Sequence, residues 1–322
     1  MPDTCQIVVV SYNSALELPA CIESLLSQAG ISPVLYVVDN ASTDGSADLV
    51  EARFPGVHLI RAGENLGFAR ANNLVLSTLE APYFALVNPD TVAPPDALSK
   101  TVHELASGPD VALVGPRIVF PDGTYQPSCF EFLGLASLLR ETFGLDRIFT
   151  HAGRPYPLAP KGFRESQASS VDWLRGAFLV GRTRVCREVG VFDPEFFMYG
   201  EEMEWCYRIR AAGWRNRYFP GVTVVHVEGA SSRPEAGRMF VENLKGRLRF
   251  LDKHQGAITR LLGRALIAGS VFLRLGWRML RPAPPRGDAA REPALRKRQM
   301  FLAAAAWVLR GMPLDGDSAR VR

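Results

Sequence analysis

Four places in this 322-residue chain carry side chains able to do chemistry. Phe84-Ala85-Leu86-Val87 is an unbroken apolar run that stops in Asn88-Pro89-Asp90. A carboxylate at the end of such a run can hold a divalent metal against a diphosphate. Phe196-Phe197-Met198-Tyr199 leads into Gly200-Glu201-Glu202-Met203-Glu204. Desolvation beside those aromatics is expected to raise at least one carboxyl pKa toward the range useful to a general base. The same triplet suits the positive end of a helix, so capping stands beside catalysis as its explanation. Thr223-Val224-Val225-His226 ends in an imidazole, a common metal ligand. The fourth place is a pair of polar clusters, Ser11-Tyr12-Asn13-Ser14 and Asp39-Asn40 through Ser46, each following a run of hydrophobic residues.

The elements between these residues must bring them together. Residues 6–10, 34–38 and 84–87 lack polar alternation and read as strands buried on both faces. Pro89 cannot continue a ladder and ends the third of them. Helices are expected at about residues 15–28, 46–53, 68–79 and 95–107, with a further strand at 57–61. This alternation means right-handed crossovers and a mainly parallel sheet with flanking helices, an α/β fold. The clusters at residues 11–14, 39–46 and 88–91 then share one sheet edge, where open α/β folds bind ligands. A strand at 111–116 and a hairpin through Pro121-Asp122-Gly123 follow, and residues 131–170 are the least regular part. Residues 171–180 read as an apolar strand interrupted by the small pair Gly176-Ala177, which suits close approach of a ligand or another backbone. A helix from Trp205 to Ala212 is closed by Gly213.

Composition narrows the classes. No G-x-G-x-x-G follows the first strand and no P-loop occurs, so a bound phosphate needs a metal or cationic side chains. Five cysteines without a C-x-x-C pair indicate neither a disulfide framework nor a zinc knuckle, and point to a reducing compartment. Residues 1–10 carry no secretory signal. Residues 257–322 hold 13 Lys+Arg against 4 Asp+Glu, which leaves the body of the chain acidic. An acidic body without a reader motif argues against nucleic acid.

Taken together, Ile7 to Asn13, Val37 to Ser46, Glu64 to Asn73, Leu86 to Asp90 and Phe196 to Glu204 resemble glycosyltransferase family 2. Within that family they are most similar to the bacterial rhamnosyltransferase-like branch, over about residues 6–254. The resemblance implies a GT-A type nucleotide-diphospho-sugar transferase fold and an inverting transfer that uses a nucleotide-sugar donor and Mg2+ or Mn2+. It divides the chain into a catalytic domain at 1–256, with a nucleotide-sugar half at 1–125 and an acceptor half at 126–256, and a basic helical tail at 257–322. By position, Ser11 and Tyr12 flank the nucleotide base and Asp39 accepts the N3–H of uracil or thymine. Asn13, Asn65 and Asn88 complete the nucleotide set, and Asp90 is the metal-binding acid. Glu202 is the catalytic base, and His226 completes the metal site or touches the diphosphate. Trp173, Gly176, Ala177 and Glu201 fall where the family shapes its substrate pocket. Departures from the family pattern are Asn88 in place of an Asp, Glu202 and Glu204 in place of Asp, Gly200 in place of an aromatic, and the run His226 to Ser231.

The expected acceptor is a hydroxyl of a glycan or polyprenyl-linked saccharide, and the expected location is the cytoplasm, peripheral on the inner face of the membrane. In the tail, Arg260, Arg264, Arg274 and Arg278 fall within an arc of about 80° on a helix, with Ile267 and Val271 intruding. That pattern suits a helix lying on an anionic leaflet with its arginines at the phosphates, or else ordinary packing on the protein. Two other readings compete. Sugar nucleotidyltransferases need a Gly-rich basic loop after the first strand, which Ser11-Tyr12-Asn13-Ser14 is not. A catalytically degenerate scaffold of a polysaccharide assembly complex rests on Asn88 and Gly200.

Overall fold

A computed structural model describes residues 3–143, 156, 158–227, 235–280 and 291–314. Residues 144–155 of the irregular stretch, 228–231 of the run after His226, and 281–290 and 315–322 of the tail lie outside the described residues. The chain divides into two units. The first holds residues up to Phe132, 153–196 and 201–231, and the second holds 133–152, 197–200 and 232–322.

The first unit is built on one mixed sheet. Strands β1 (Thr4–Ser11), β2 (Ser32–Asp39), β3 (His58–Arg61) and β4 (Tyr83–Val87) run parallel in the order β3-β2-β1-β4. Helices α1 (Leu18–Leu26), α2 (Ser46–Arg53) and α3 (Gly67–Leu76) make the crossovers. Beyond β4 the sheet continues through β11 (Phe178–Arg182), β6 (Val111–Val119), β12 (Arg215–His226) and the two-residue β5 (Thr91–Val92). Strand β11 is antiparallel to both β4 and β6, whereas β6 and β12 are parallel. Strand β7 (Tyr125–Gln126) forms the expected hairpin with β6, and β9 (Ser169–Val171) pairs with β12. Strands β8 (Cys129–Phe130) and β10 (Trp173–Leu174) make a separate small ladder.

The unbroken apolar runs follow from burial on both sheet faces. Successive side chains alternate between faces. Val8, Val38, Phe84 and Leu86 therefore enter one core cluster, with α3 residues such as Val75. Ile7, Val9, Val37, Ala85 and Val87 enter another, with Leu18 and Ile22 of α1 and Leu98 and Val102 of α4 (Ala97–Ser107). Two sequence readings are corrected. Residues 171–180 do not form one strand, because the chain turns at Arg175-Gly176-Ala177 between β10 and β11. The acidic helix begins at Glu201 rather than Trp205, so all three glutamates lie inside its first turn.

The second unit contains α5 (Leu135–Thr142), α8 (Ala236–His254), α9 (Ala257–Leu280) and α10 (Arg291–Leu309). The remaining helices, α6 (Thr183–Val189) and α7 (Glu201–Ala211), belong to the first unit. In the second unit Leu248, Leu251, Ile267, Val271, Ala304 and Trp307 are buried, and the Phe240 and Phe301 rings meet edge to face at 5.0 Å. Gly200, at φ +93°, lies where a Cβ would come within 3.1 Å of the Gly246 backbone. A Cβ on Gly246 would lie 2.0 Å from the Tyr199 carbonyl oxygen. This crossing explains why an aromatic cannot stand at Gly200: the backbone is left-handed and there is no room.

Candidate active site

The parallel half of the sheet delivers the polar clusters to one edge, as the sequence implies. Ser11 pairs in register with Asp39, and Val9 with Val87, so the ends of β1, β2 and β4 are neighbours. At this edge Asp39 is 5% exposed; its Oδ2 accepts the Ser42 amide at 3.2 Å, while Oδ1 has no hydrogen-bond partner among the described residues. The buried Ser11 hydroxyl also lacks one. Buried polar atoms are seldom left unpaired, so these two oxygens are candidates for a ligand's hydrogen bonds. The two flanking loops are tied together by side chains. Asn13 Oδ1 accepts the Thr43 amide at 2.8 Å, the Ser14 amide donates to Ser46 Oγ at 3.0 Å, and the Ala15 amide donates to Asp44 Oδ2 at 2.9 Å. Tyr12 is half-buried beside them. The oxygen of Asn65 is committed to Asn40 Nδ2 at 2.9 Å and the Gly67 amide at 3.0 Å.

A second cluster forms where β12 ends beside β5. His226 pairs with Thr91, and the Val227 amide donates to the Asp90 carbonyl at 3.1 Å. His226 Nε2 stands 3.1 Å from Asp90 Oδ1 and 3.2 Å from Asn88 Nδ2. Its Nδ1 lies 2.7 Å from Oε1 of the fully buried Gln126, a pairing in which Nδ1 donates and the ring plane is fixed. A carboxylate oxygen and an imidazole nitrogen about 3 Å apart have the spacing of adjacent ligands around an octahedral cation with bonds near 2.1 Å. The donor set of Asp90 and His226 thus fits a divalent metal that takes its other ligands from water and phosphate. Among the described residues no group of three or more His, Cys, Asp or Glu converges on a metal site. Sequence reasoning missed Gln126, which lies 100 residues from its partner; a polar residue in a short hairpin strand was its one signal.

The glutamates of α7 sort into different roles. Glu204 is 2% exposed, and both its oxygens accept the Arg208 Nε–H in a bifurcated bond at 2.9 and 3.0 Å. Arg208 also donates to the Val189 and Val191 carbonyls, so this pair fixes the helix to the loop before it. Half-buried Glu202 accepts the Gly176 amide at 3.1 Å through Oε1. Burial raises its pKa, opposed by that amide, by Glu201 and by the Arg175 guanidinium. Glu201 is 2% exposed and is pushed well above the ordinary carboxylate range by burial and by the neighbouring Glu202 charge. The environments separate the pair into a proton-holding acid, Glu201, and a partner that ionises more readily, Glu202. Glu201 was expected in the substrate pocket; its side chain is 2% exposed and out of reach of solvent.

One dipeptide connects these clusters. The Gly176 amide holds Glu202, and the Ala177 carbonyl accepts the Asn88 amide at 3.0 Å and the Thr91 hydroxyl at 3.1 Å. A Cβ on Gly176 would lie 2.9 Å from Glu202 Oε1, so the close approach expected at this glycine is made by a carboxylate. Ala177 is 1% exposed and serves through its carbonyl, with its methyl in the core. Trp173 is half-buried, stacks on Phe130 at 4.3 Å and donates its Nε1–H to the Glu131 carbonyl at 3.0 Å.

The chain is 29% identical over 290 residues to the N-acetylglucosaminyl-diphospho-decaprenol L-rhamnosyltransferase of Mycobacterium tuberculosis, covering 85% of this chain and 92% of that protein. It is 26% identical over 224 residues to a low-salt glycan biosynthesis hexosyltransferase of Haloferax volcanii, covering 65% and 62% of the two chains. The fold matches that of a mannosyltransferase from Pyrobaculum calidifontis solved with GDP-Man and Mn2+, with a TM-score of 0.57, 18% identity and coverage of 97% and 89%. The family description "Glycosyl transferase family 2" matches residues 6–155, and "Glycosyl transferase family group 2" matches residues 83–279. The chain belongs to glycosyltransferase family 2, and it is a glycosyltransferase with a GT-A type fold.

Proposed function

We propose that the chain is an inverting transferase that moves rhamnose or another hexose from a dTDP or UDP donor to a hydroxyl of a polyprenyl-linked saccharide in cell-surface polysaccharide synthesis. The observation that carries this reading is the Gly176-Ala177 dipeptide, which ties a carboxylate of raised pKa to the loop bearing Asp90. The rhamnosyltransferase similarity supports the sugar and the lipid-linked acceptor.

In this reading Asp39 Oδ1 accepts the N3–H of uracil or thymine, which cytosine does not offer. Ser11 and Tyr12 flank the base, and Asn13, Asn65 and Asn88 complete the nucleotide contacts. Asp90 and His226 hold Mg2+ or Mn2+, with Gln126 fixing the imidazole. When bound, the metal supplies positive charge to the leaving diphosphate. Glu202 removes the acceptor proton as the hydroxyl oxygen attacks the anomeric carbon opposite the diphosphate. Glu201 keeps its own proton and hydrogen-bonds to Glu202, which holds the base in place. Residues 1–125 form the donor half and 126–256 the acceptor half of this machinery, with Trp173 in the acceptor pocket. A polyprenyl-linked acceptor confines the reaction to the cytoplasmic membrane surface.

Calorimetric titration of UDP and dTDP, with and without Mn2+, tests the donor site. The expected result is metal-dependent binding that prefers one nucleotide and weakens at least about tenfold in Asp90→Ala. Failure of both nucleotides to bind the folded protein would remove the donor reading.

A further inference from the structure

Within the second unit, α9 is turned the opposite way from the orientation its arginines imply. The helix buries Gly263, Ile267 and Val271. The four arginines lie on that same side and are half-buried. Arg264 pairs with Asp252 at 2.6 Å, Arg260 donates to the Asp252 carbonyl at 3.5 Å, and the Arg278 guanidinium sits 5.3 Å from the Phe301 ring centre. These cations serve the protein, so the expectation that they lie at lipid phosphates is corrected. The opposite side is apolar and open: Ile258, Leu261, Leu262, Phe272, Leu273 and Leu280 are between 41% and 83% exposed. At about 100° per residue these six centre roughly 180° from the buried stripe. An apolar face of this length and continuity is unusual on a surface that meets only water.

We infer that this outward face of α9 seats in the headgroup and acyl boundary of an anionic phospholipid bilayer. No helix among the described residues is long and apolar enough to cross a membrane, so the helix lies in the interface plane. Charge selects the occupant. Apart from the four α9 arginines, the described tail segments 257–280 and 291–314 carry Arg291, Arg296, Lys297, Arg298 and Arg310 against the single Glu292. A second copy of the chain would bring the same cations to the contact, whereas an anionic leaflet complements them. Arg298 Nε lies 2.9 Å from Met279 Sδ, which brings the basic segment Arg296-Lys297-Arg298 of α10 to the C-terminal end of the apolar face. That segment supplies the headgroup contacts that the α9 arginines do not. The inference is independent of which sugar or nucleotide the enzyme uses.

The test is co-sedimentation of the full chain with phosphatidylcholine vesicles, with and without phosphatidylglycerol. Leu261→Glu combined with Leu273→Glu changes two positions that are 71% and 58% exposed, so the fold is retained, as circular dichroism and thermal melting can verify. The wild type is expected to bind vesicles containing phosphatidylglycerol, and the double variant to lose at least about tenfold of that partitioning. Three results would overturn the inference. One is wild-type protein that binds nucleotide but no vesicle. Another is vesicle binding lost in folded Arg264→Gln but kept in the leucine variant. The third is a dimer, seen by light scattering, that the leucine variant dissolves.

Discussion

Gly176→Ala isolates the link between the proposed base, Glu202, and its scaffold. The new Cβ would lie 2.9 Å from Glu202 Oε1 and 3.3 Å from Phe68 Cζ, whereas ordinary contact begins at 3.4 Å. The carboxylate is the softer neighbour, and it must withdraw by about 0.5 Å. The amide-to-oxygen distance, now 3.1 Å, then stretches to about 3.6 Å, beyond hydrogen-bond range. Two effects follow. A displacement of about 1 Å costs roughly 100-fold in rate, so half of that should lower kcat about tenfold. Loss of the amide also removes one of the groups that oppose burial at Glu202, so its pKa rises further. Because the base acts ionised, the rate falls as pH drops through its pKa, and the acid limb should move to higher pH in the variant. Initial rates of nucleoside diphosphate release across pH would show both effects, with donor affinity from calorimetry unchanged. A variant whose kcat stays within about twofold of wild type, with an unmoved acid limb, would refute the assignment of Gly176 as the positioning residue.

Other perturbations probe stability. Glu201 has a folded-state pKa above its unfolded value, so the native state binds more protons between the two values and stability falls as pH rises through that window. Glu201→Gln removes this penalty: thermal scans should show a higher Tm than wild type at about pH 8 and no advantage near pH 4. A pair of glycine variants separates packing from helix propensity. Gly246→Ala puts a Cβ 2.0 Å from the Tyr199 carbonyl oxygen and should destabilise by about 1–3 kcal/mol. Gly269→Ala, with nothing within 4 Å of its Cβ, should stabilise by about 0.5–1 kcal/mol in chemical denaturation.

The sheet was readable where local sequence alone decides the outcome. Val34 to Val38 and Phe84 to Val87 have no polar alternation because two cores flank them, and the residues after each run are those that end strands. The edge carrying Ser11, Asp39 and Asp90 followed from that reading. Long-range partners left little trace. Gln126 looks like any polar hairpin residue until His226 is placed beside it. Glu204 and Glu202 are alike in sequence, and only Arg208 and Gly176 give them different roles. The break at Gly176 was hidden because apolar residues on both sides continue the pattern of a buried strand. The arginines of α9 have helical spacing in either orientation, and Asp252 determines which way they face.

The cross-bonding between the Asn13-Ser14-Ala15 loop and the Thr43-Asp44-Ser46 loop has a consequence for how the donor is admitted. A base-reading acid on a free loop must be ordered each time a nucleotide arrives, and that lost entropy is subtracted from affinity. In the proposed reading the ordering is done during folding, so the nucleotide would meet a rigid template. Such a template cannot bend to accommodate a cytosine, so discrimination between bases does not trade against tightness. It also means that altering the preferred base by changing Asp39 alone would leave a rigid frame still shaped around a carboxylate. A switch in donor would, in that reading, require both loops to change together.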